Sequence, residues 1–319
     1  MGRMIDGTWI TEDRFLVEKG KFQREETQIR DKISGRPGSR FPPQPGRYHL
    51  YVSLACPWAH RTLIMRRLKG LEDFISFDVV SPLMYDMGWP LEQTPSYSPK
   101  GLVDPKYLYQ IYQAHDGNYS GRVTVPLLWD RESDQAVSNE SSEIIRMFNS
   151  EFAPWAKDQY DYYPAALQKQ IDEINGVIYG GINNGVYKVG FAATQAAYEE
   201  EVTKLFKTLD MVEYRLSKSR YLVGDKLTEA DIRLYVTLIR FDAVYVGHFK
   251  CNLCRISDYP NLTGYLKELY QIPAFKETTD FTHIKSHYYQ SHKFLNPSGI
   301  VPSGPLLDLD SPHGRGANQ

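Results

Sequence analysis

The stretch that most restricts what this chain can become is Tyr48-His49-Leu50-Tyr51-Val52-Ser53-Leu54-Ala55-Cys56-Pro57-Trp58-Ala59-His60-Arg61. Its first half alternates apolar and polar residues and is rich in β-formers, which predicts a buried strand over 47–53. Pro57 fixes φ where a first helical turn needs it and gives up only an N–H that has no partner there. Beyond it Leu63, Ile64, Met65 and Leu68 recur at helical spacing and predict a helix over 58–69. Cys56 therefore stands at a strand–turn–helix junction, where unpaired N–H groups and the positive end of the helix dipole favour a thiolate. Burial as a small apolar residue is the commoner fate of a free cysteine. Here strand, Cys-Pro and helix agree instead on a nucleophile. His60 and Arg61 add positive charge if their side chains turn that way. Residue 59 is alanine, so no resolving thiol stands where a dithiol motif puts one. A disulfide at Cys56 has to be opened by an outside thiol.

The pattern continues with a strand over 74–80, a long stretch over 81–121 with a helical patch around 105–114, a strand within 123–130, a turn at 131–134 and a short strand around 136–138. A helix then begins at Asn139-Glu140-Ser141-Ser142-Glu143. The order βαβ–α–ββα predicts a small mixed sheet with helices on its faces, a thioredoxin-like layout. Long connections are functional or floppy, and Tyr85, Trp89, Tyr97, Tyr107, Tyr109 and Tyr112 favour function for this one. Residues 1–46 form a polar arm punctuated by proline and glycine, with little helix or sheet expected. Trp9, Phe15 and Phe22 offer anchors that pack it on the body, and a flexible tail is the alternative.

Beyond Tyr160 the periodicity is helical, with helices over 161–182, 193–216, 260–271 and 274–287, then a Pro/Gly-rich tail from Pro297. Another helix opens at Thr228, where Thr228 and Asp231 have capping-box spacing and Leu227 and Ile232 can form a hydrophobic staple. The expected division is an arm (1–46), a thioredoxin-like domain (47–152), a helical domain (160–292) and a tail (293–319).

Composition sets limits on partners. A net charge of −2 argues against a nucleic-acid partner held by phosphate contacts. No apolar run approaches the roughly 20 residues of a membrane span. An N-terminus carrying Asp6, Glu12 and Asp13 lacks signal-peptide and transit-peptide character, so the cytoplasm is the expected compartment. Three cysteines build no disulfide framework. Cys251 and Cys254 with His248 offer a poor zinc site, lacking a fourth ligand, and no βαβ pattern precedes them for redox use. Buried or merely oxidisable thiols are expected there.

In Thr124-Val125-Pro126 a proline breaks an apolar run. A cis bond is expected there, which leaves the Val125 N–H and C=O without ladder partners, and an edge-strand proline without function is the alternative. Glu140-Ser141 lies at a helix mouth, where spare N–H donors accept anions, although ordinary N-capping by Asn139 or Ser141 uses the same residue types.

Ser53-Leu54-Ala55-Cys56-Pro57-Trp58-Ala59-His60-Arg61 resembles the active-site signature of the glutathionyl-hydroquinone reductases, the xi class of glutathione transferases. These are similar to the omega class in using cysteine where most of the superfamily uses tyrosine or serine. The likeness runs from about Arg47 to about Pro305. It implies an α/β thioredoxin-like N-terminal domain followed by an all-helical glutathione-transferase domain, with glutathione as co-substrate and no metal. It implies that Val125 pairs with the extended tripeptide, that Ser141 and Glu140 take the γ-glutamyl carboxylate and ammonium, that Arg122 takes the glycyl carboxylate and that Trp89 covers the peptide. It implies an acceptor pocket bordered by Tyr187 and by Tyr288 or Tyr289, whose phenols can donate to a quinone oxygen. Catalysis is then expected of Cys56, Tyr187 and Tyr288. The implied reaction removes glutathione from glutathionyl-hydroquinones in a cytoplasmic homodimer without nucleic-acid or membrane partners. The alternatives are an omega-like thioltransferase or dehydroascorbate reductase, and a non-catalytic binding module of the same fold.

Overall fold

The computed structural model describes residues 2–11 and 17–316. Phe15, one of the three expected anchors of the arm, lies outside them. The chain divides into two compact units. A sheet unit holds residues 25–160, the start of the chain and 280–291, and a helical unit holds 161–279, the stretch leading to Arg24 and everything from His292.

The arm contains more sheet than its composition suggests. Strands β1 (Arg3–Ile5) and β2 (Thr8–Ile10) form a hairpin in the sheet unit, and β3 (Val17–Glu18) and β4 (Lys21–Phe22) form another in the helical unit. The first hairpin turns through Asp6-Gly7, both at positive φ (46° and 72°), as a two-residue turn matched to strand twist requires. Met4, fully buried, exchanges backbone hydrogen bonds with Gly121. Farther on, Arg30 bridges Ser138, and the Ile29 C=O accepts the Asn139 N–H (3.0 Å). Of the two expectations for the arm, packing on the body holds for these residues.

The four-stranded sheet runs β6-β5-β7-β8, from β5 (Tyr48–Val52), β6 (Ile75–Val79), β7 (Leu127–Asp130) and β8 (Gln135–Ser138). β5 is parallel to β6 and antiparallel to β7, so it lies inside the sheet and every one of its residues is buried. Helix α1 (Pro57–Leu68) crosses between the parallel strands, α2 (Leu108–His115) lies in the long connection, and α3 (Ser141–Ser150) follows β8 and packs on α1. Arg47, entering β5, makes a paired ion contact with Asp130 at the end of β7 (2.7 and 2.6 Å). Both are buried, and removing one partner of such a pair costs about 3–5 kcal/mol. The long connection is pinned rather than loose. Tyr112 donates to the Thr124 C=O, Tyr97 to Asp134, and Tyr109 stacks on Trp9 and Tyr107. Of the two fates expected of a long connection, these contacts exclude a loose one for the segment around Tyr97, Tyr107, Tyr109 and Tyr112.

In the helical unit α4 (Gln168–Ile178) passes through a π-helical turn, Tyr179–Asn183, into α5 (Gly185–Gly190). The helix expected from Asp161 starts only at Gln168. The Asp161 carboxylate accepts the Tyr163 N–H (2.9 Å), and Pro164 disfavours helical backbone at Tyr163. α6 (Gln195–Leu216) and α7 (Glu229–Arg240) follow. Asp231 accepts from the Thr228 N–H (2.8 Å), as the capping box requires, and also from Leu222 N–H (2.9 Å) and Tyr265 O–H (2.7 Å). After the helix Pro260–Tyr270 comes the short one Pro273–Lys276. The single helix expected over 274–287 is broken there, because the Thr278 and Thr279 hydroxyls bond back to carbonyls and Asp280 caps a new start, donated to by the His283 N–H (2.8 Å). That new helix, Phe281–Ser286, and the π-helical turn His287–Ser291 belong to the sheet unit. The tail is ordered against the helical unit. Gln271 donates to the Leu309 and Ser311 carbonyls, and Arg315 pairs with Glu268 (3.3 Å). Among the described residues no helix is long and apolar enough to cross a membrane.

Candidate active site

Cys56 is the N-cap of α1, with extended backbone (φ −75°, ψ 122°) and Pro57 in the first helical position. Its C=O accepts the His60 N–H (3.0 Å) and its N–H donates to the Ser53 C=O (3.1 Å), so its side chain leaves the chain at the N-terminus of α1. The residue is half-buried, and its thiol donates to the Val125 C=O at 3.4 Å. The Val125–Pro126 bond is cis, so a cis-prolyl turn faces the cysteine. Both polar groups of Val125 were expected to be open. The N–H makes no hydrogen bond among the described residues, whereas the C=O faces the thiol and keeps one lone pair for a ligand.

His60 and Arg61 are both buried. The Arg61 guanidinium lies over the Trp58 indole (4.6 Å) and reaches Ser141 Oγ (3.5 Å), so its charge serves the start of α3. Glu140 caps that helix, a role for which Asn139 and Ser141 were the alternatives to a binding use of the segment. One carboxylate oxygen accepts the Ser142 N–H (2.9 Å), the other the Thr27 hydroxyl (3.1 Å). Asn139 is drawn away instead, donating to the Tyr112 hydroxyl (3.2 Å) and to Thr124 (3.3 Å). Burial works against ionisation of Glu140, but the hydrogen bonds from Ser142 and Thr27 and the charge of Arg61 outweigh it and hold its pKa below the usual glutamate value. A carboxylate beside a buried serine and a helix N-terminus offers one acceptor and several donors, the pattern an α-amino acid head group needs.

Arg122 Nε donates to Glu25 (2.9 Å), which also pairs with Arg3 (3.3 Å). The Trp89 indole is buried and stacks on His287, with ring centroids 4.9 Å apart and planes at 20°. His287 Nδ1 meets the Pro82 C=O (2.9 Å), and Ser291 Oγ accepts the Met84 N–H (2.9 Å), so residues 280–291 are fastened to the loop that carries Trp89. Tyr288, next in line, is 1% exposed, and Tyr289 is half-buried.

Cys56, Trp89, Arg122, Val125, Glu140, Ser141 and Tyr288 thus all belong to the sheet unit, and Tyr187 to the helical unit. Tyr187 sits on α5, in the interval between the helices expected over 161–182 and 193–216, ringed by Phe249 (5.4 Å), Phe191 (5.9 Å) and Tyr245 (6.2 Å). Gly190 lets α5 lie against Phe249, whose ring carbons are 2.3 Å from where a Cβ would stand. Thr27, Glu25 and His287 have no local signal in the sequence, because each acts through a contact with a distant segment. Cys251 is buried, which pushes its thiol pKa well up, and His248 bonds to His292 (3.1 Å). Among the described residues no group of three or more His, Cys, Asp or Glu is placed to hold a metal.

Fold and site together define a glutathione transferase. Residues 55–151 match the family model for the glutathione S-transferase N-terminal domain and residues 195–268 that for the C-terminal domain. The chain is 54% identical to the glutathionyl-hydroquinone reductase YqjG of Escherichia coli (strain K12), covering 99% of this chain and 98% of that protein. It is 50% identical to the glutathionyl-hydroquinone reductase PcpF of Sphingobium chlorophenolicum (97% and 98%). The glutathione-bound structure of YqjG matches with a TM-score of 0.88 at 52% identity (98% and 99%), and a Xi class transferase from Natrialba magadii with 0.92 at 45% (99% and 97%). The chain belongs to the glutathionyl-hydroquinone reductases, the xi class of the glutathione transferases.

Proposed function

We propose that this enzyme removes glutathione from glutathionyl-hydroquinones, giving the hydroquinone and oxidised glutathione through a Cys56–glutathione mixed disulfide. The observation that carries the reading is the Cys56 sulfur at the N-terminus of α1, 3.4 Å from the carbonyl ahead of a cis-proline, with Ala59 where a second thiol would stand. Val125 pairs with the tripeptide backbone, Ser141 and Glu140 hold its γ-glutamyl head, Arg122 its glycyl carboxylate, and Trp89 covers it. The domain over 160–292 serves the aromatic acceptor.

The Cys56 thiolate attacks the sulfur of the keto tautomer of the substrate, in which the ring carbon bearing sulfur also bears hydrogen. The S–S bond forms as the C–S bond breaks, and the electron pair passes to the neighbouring oxygen as a phenolate. Carbon leaves sulfur readily only when that charge is accommodated, which is the role of the Tyr187 and Tyr288 hydroxyls. A second glutathione, as thiolate, then attacks the glutathionyl sulfur, releasing oxidised glutathione and restoring Cys56; its proton ends on the hydroquinone. This chemistry needs a reducing compartment, which supports the cytoplasm, and the family likeness supports a homodimer.

Initial rates with glutathionyl-hydroquinone and glutathione varied together test the scheme. Parallel double-reciprocal lines are expected of the two half-reactions. Intersecting lines, or faster turnover of dehydroascorbate or a simple mixed disulfide than of the hydroquinone conjugate, count against it.

A further inference from the structure

The arm clasps the short helix that carries Tyr187, within the helical unit. Near the C-terminal end of α5, the Gly20 C=O accepts the Ala193 N–H (2.9 Å), and Phe22 meets Phe191 edge-on (5.3 Å, 69°). Lys21 pairs alongside with Glu200 (2.7 Å). At the other end Arg24 Nε donates to Asn184 Oδ1 (2.7 Å). Asn184 is the residue from which α5 starts, and its C=O accepts the N–H groups of Tyr187 (3.1 Å) and Lys188 (3.0 Å). The same Arg24 guanidinium lies over the Tyr187 ring, 4.8 Å from its centre. Lys188, next along the helix, lies 4.0 Å from Glu201.

We propose that Arg24 is a positioning residue for the reductase reaction, acting through Tyr187. The proposal rests on the reading that Tyr187 serves the acceptor. One guanidinium does two things that a lysine's single ammonium is poorly shaped to do together: it sits over an aromatic face and directs an N–H at the side chain that starts the helix. The first contact fixes the plane of the phenol, and the second fixes the turn of backbone that carries it. The cation also stabilises negative charge arriving on the phenol, so the Tyr187 O–H is a stronger donor to the ring oxygen that becomes phenolate as the C–S bond breaks. Arg24 itself gains or loses no proton, and the electron balance remains that of the reaction above. The polar arm is thereby part of the catalytic apparatus.

The test compares Arg24→Met, Arg24→Lys, Tyr187→Phe and Arg24→Met with Tyr187→Phe on two substrates in the full-length protein. One is a glutathionyl-hydroquinone. The other is the mixed disulfide of glutathione and 2-mercaptoethanol, which uses Cys56 but has a sulfur leaving group that needs no phenol donor. Arg24→Met is expected to lower kcat on the hydroquinone conjugate by about tenfold, an effect of the size that a part-buried cation–ring contact supports. Mixed-disulfide turnover should be unchanged, which also shows the variant folded. Arg24→Lys should recover part of the loss, and Arg24→Met should add nothing once Tyr187 is Phe. Equal losses on both substrates, or losses that multiply in the double variant, overturn the proposal. A slow Tyr187→Phe beside a normal Arg24→Met overturns it alone. A normal Tyr187→Phe overturns the reading of Tyr187 and this proposal with it.

Discussion

The Trp89 indole lies flat on the His287 imidazole, centroids 4.9 Å apart, although one residue stands in the long loop after β6 and the other near the end of the helical part of the chain. His287 is held in turn by the Pro82 carbonyl. The residue proposed to cover glutathione is thus backed by the segment that carries Tyr288.

Removing that backing loosens the cover without touching the thiol. His287→Ala is expected to raise KM for glutathione about two- to twelvefold, the range for losing an aromatic pair worth about 0.5–1.5 kcal/mol. His287→Phe, which keeps a stacking ring, should restore most of it. Steady-state kinetics with glutathione as the varied substrate decide the point. An unchanged KM in the alanine variant would show that Trp89 does not depend on this contact.

Glu140 makes a prediction about pH. Its folded pKa lies below the usual glutamate value, so it contributes stability that is fully present above the unfolded pKa, roughly 4.3, and is lost as pH falls through the folded one. Thermal melts of the wild type and Glu140→Gln should therefore differ most at neutral pH, by about 1 kcal/mol, as for a lost N-cap. The gap should narrow below about pH 4. A gap independent of pH would mean that ionisation of Glu140 contributes nothing to folding. The variant should also bind glutathione more weakly, since the carboxylate is assigned to its ammonium.

Asp231 is a folding residue. Its fully buried carboxyl gathers donors from Thr228, Leu222 and Tyr265, all of which lose an acceptor in Asp231→Ala. A loss of about 3 kcal/mol is expected, read as a lower urea midpoint at unchanged slope. Below the transition the variant should keep wild-type kcat. Loss of kcat in fully folded protein would contradict a purely structural role.

What could be read in the sequence was whatever depends on neighbours along the chain. The strand from Tyr48, the cap at Cys56, Pro57 in the first turn and the Thr228–Asp231 box are short-range devices, and the structure reproduces them. Choices among equivalent local options were not readable. Asn139, Glu140 and Ser141 can each cap a helix, and Glu140 does so because Tyr112 and Thr124 claim Asn139 from across the fold. Helical periodicity from Asp161 overran a start that Asp161 and Pro164 delay to Gln168. In the site, Cys56 and the cis bond after Val125 were legible. The contacts of Thr27, Glu25 and His287 in the sheet unit were not, nor was that of Arg24 in the helical unit, since each meets a partner far away along the chain.

The central claim is that Cys56 takes the glutathionyl group from the aromatic ring, and intact-protein mass spectrometry reads it directly. The protein is mixed with an equimolar glutathionyl-hydroquinone and no free glutathione. The account predicts one glutathionyl group added, located on the peptide containing Cys56, removed by added glutathione and missing in Cys56→Ser. No adduct, an adduct confined to Cys251 or Cys254, or a serine variant that turns over at the wild-type rate would contradict it.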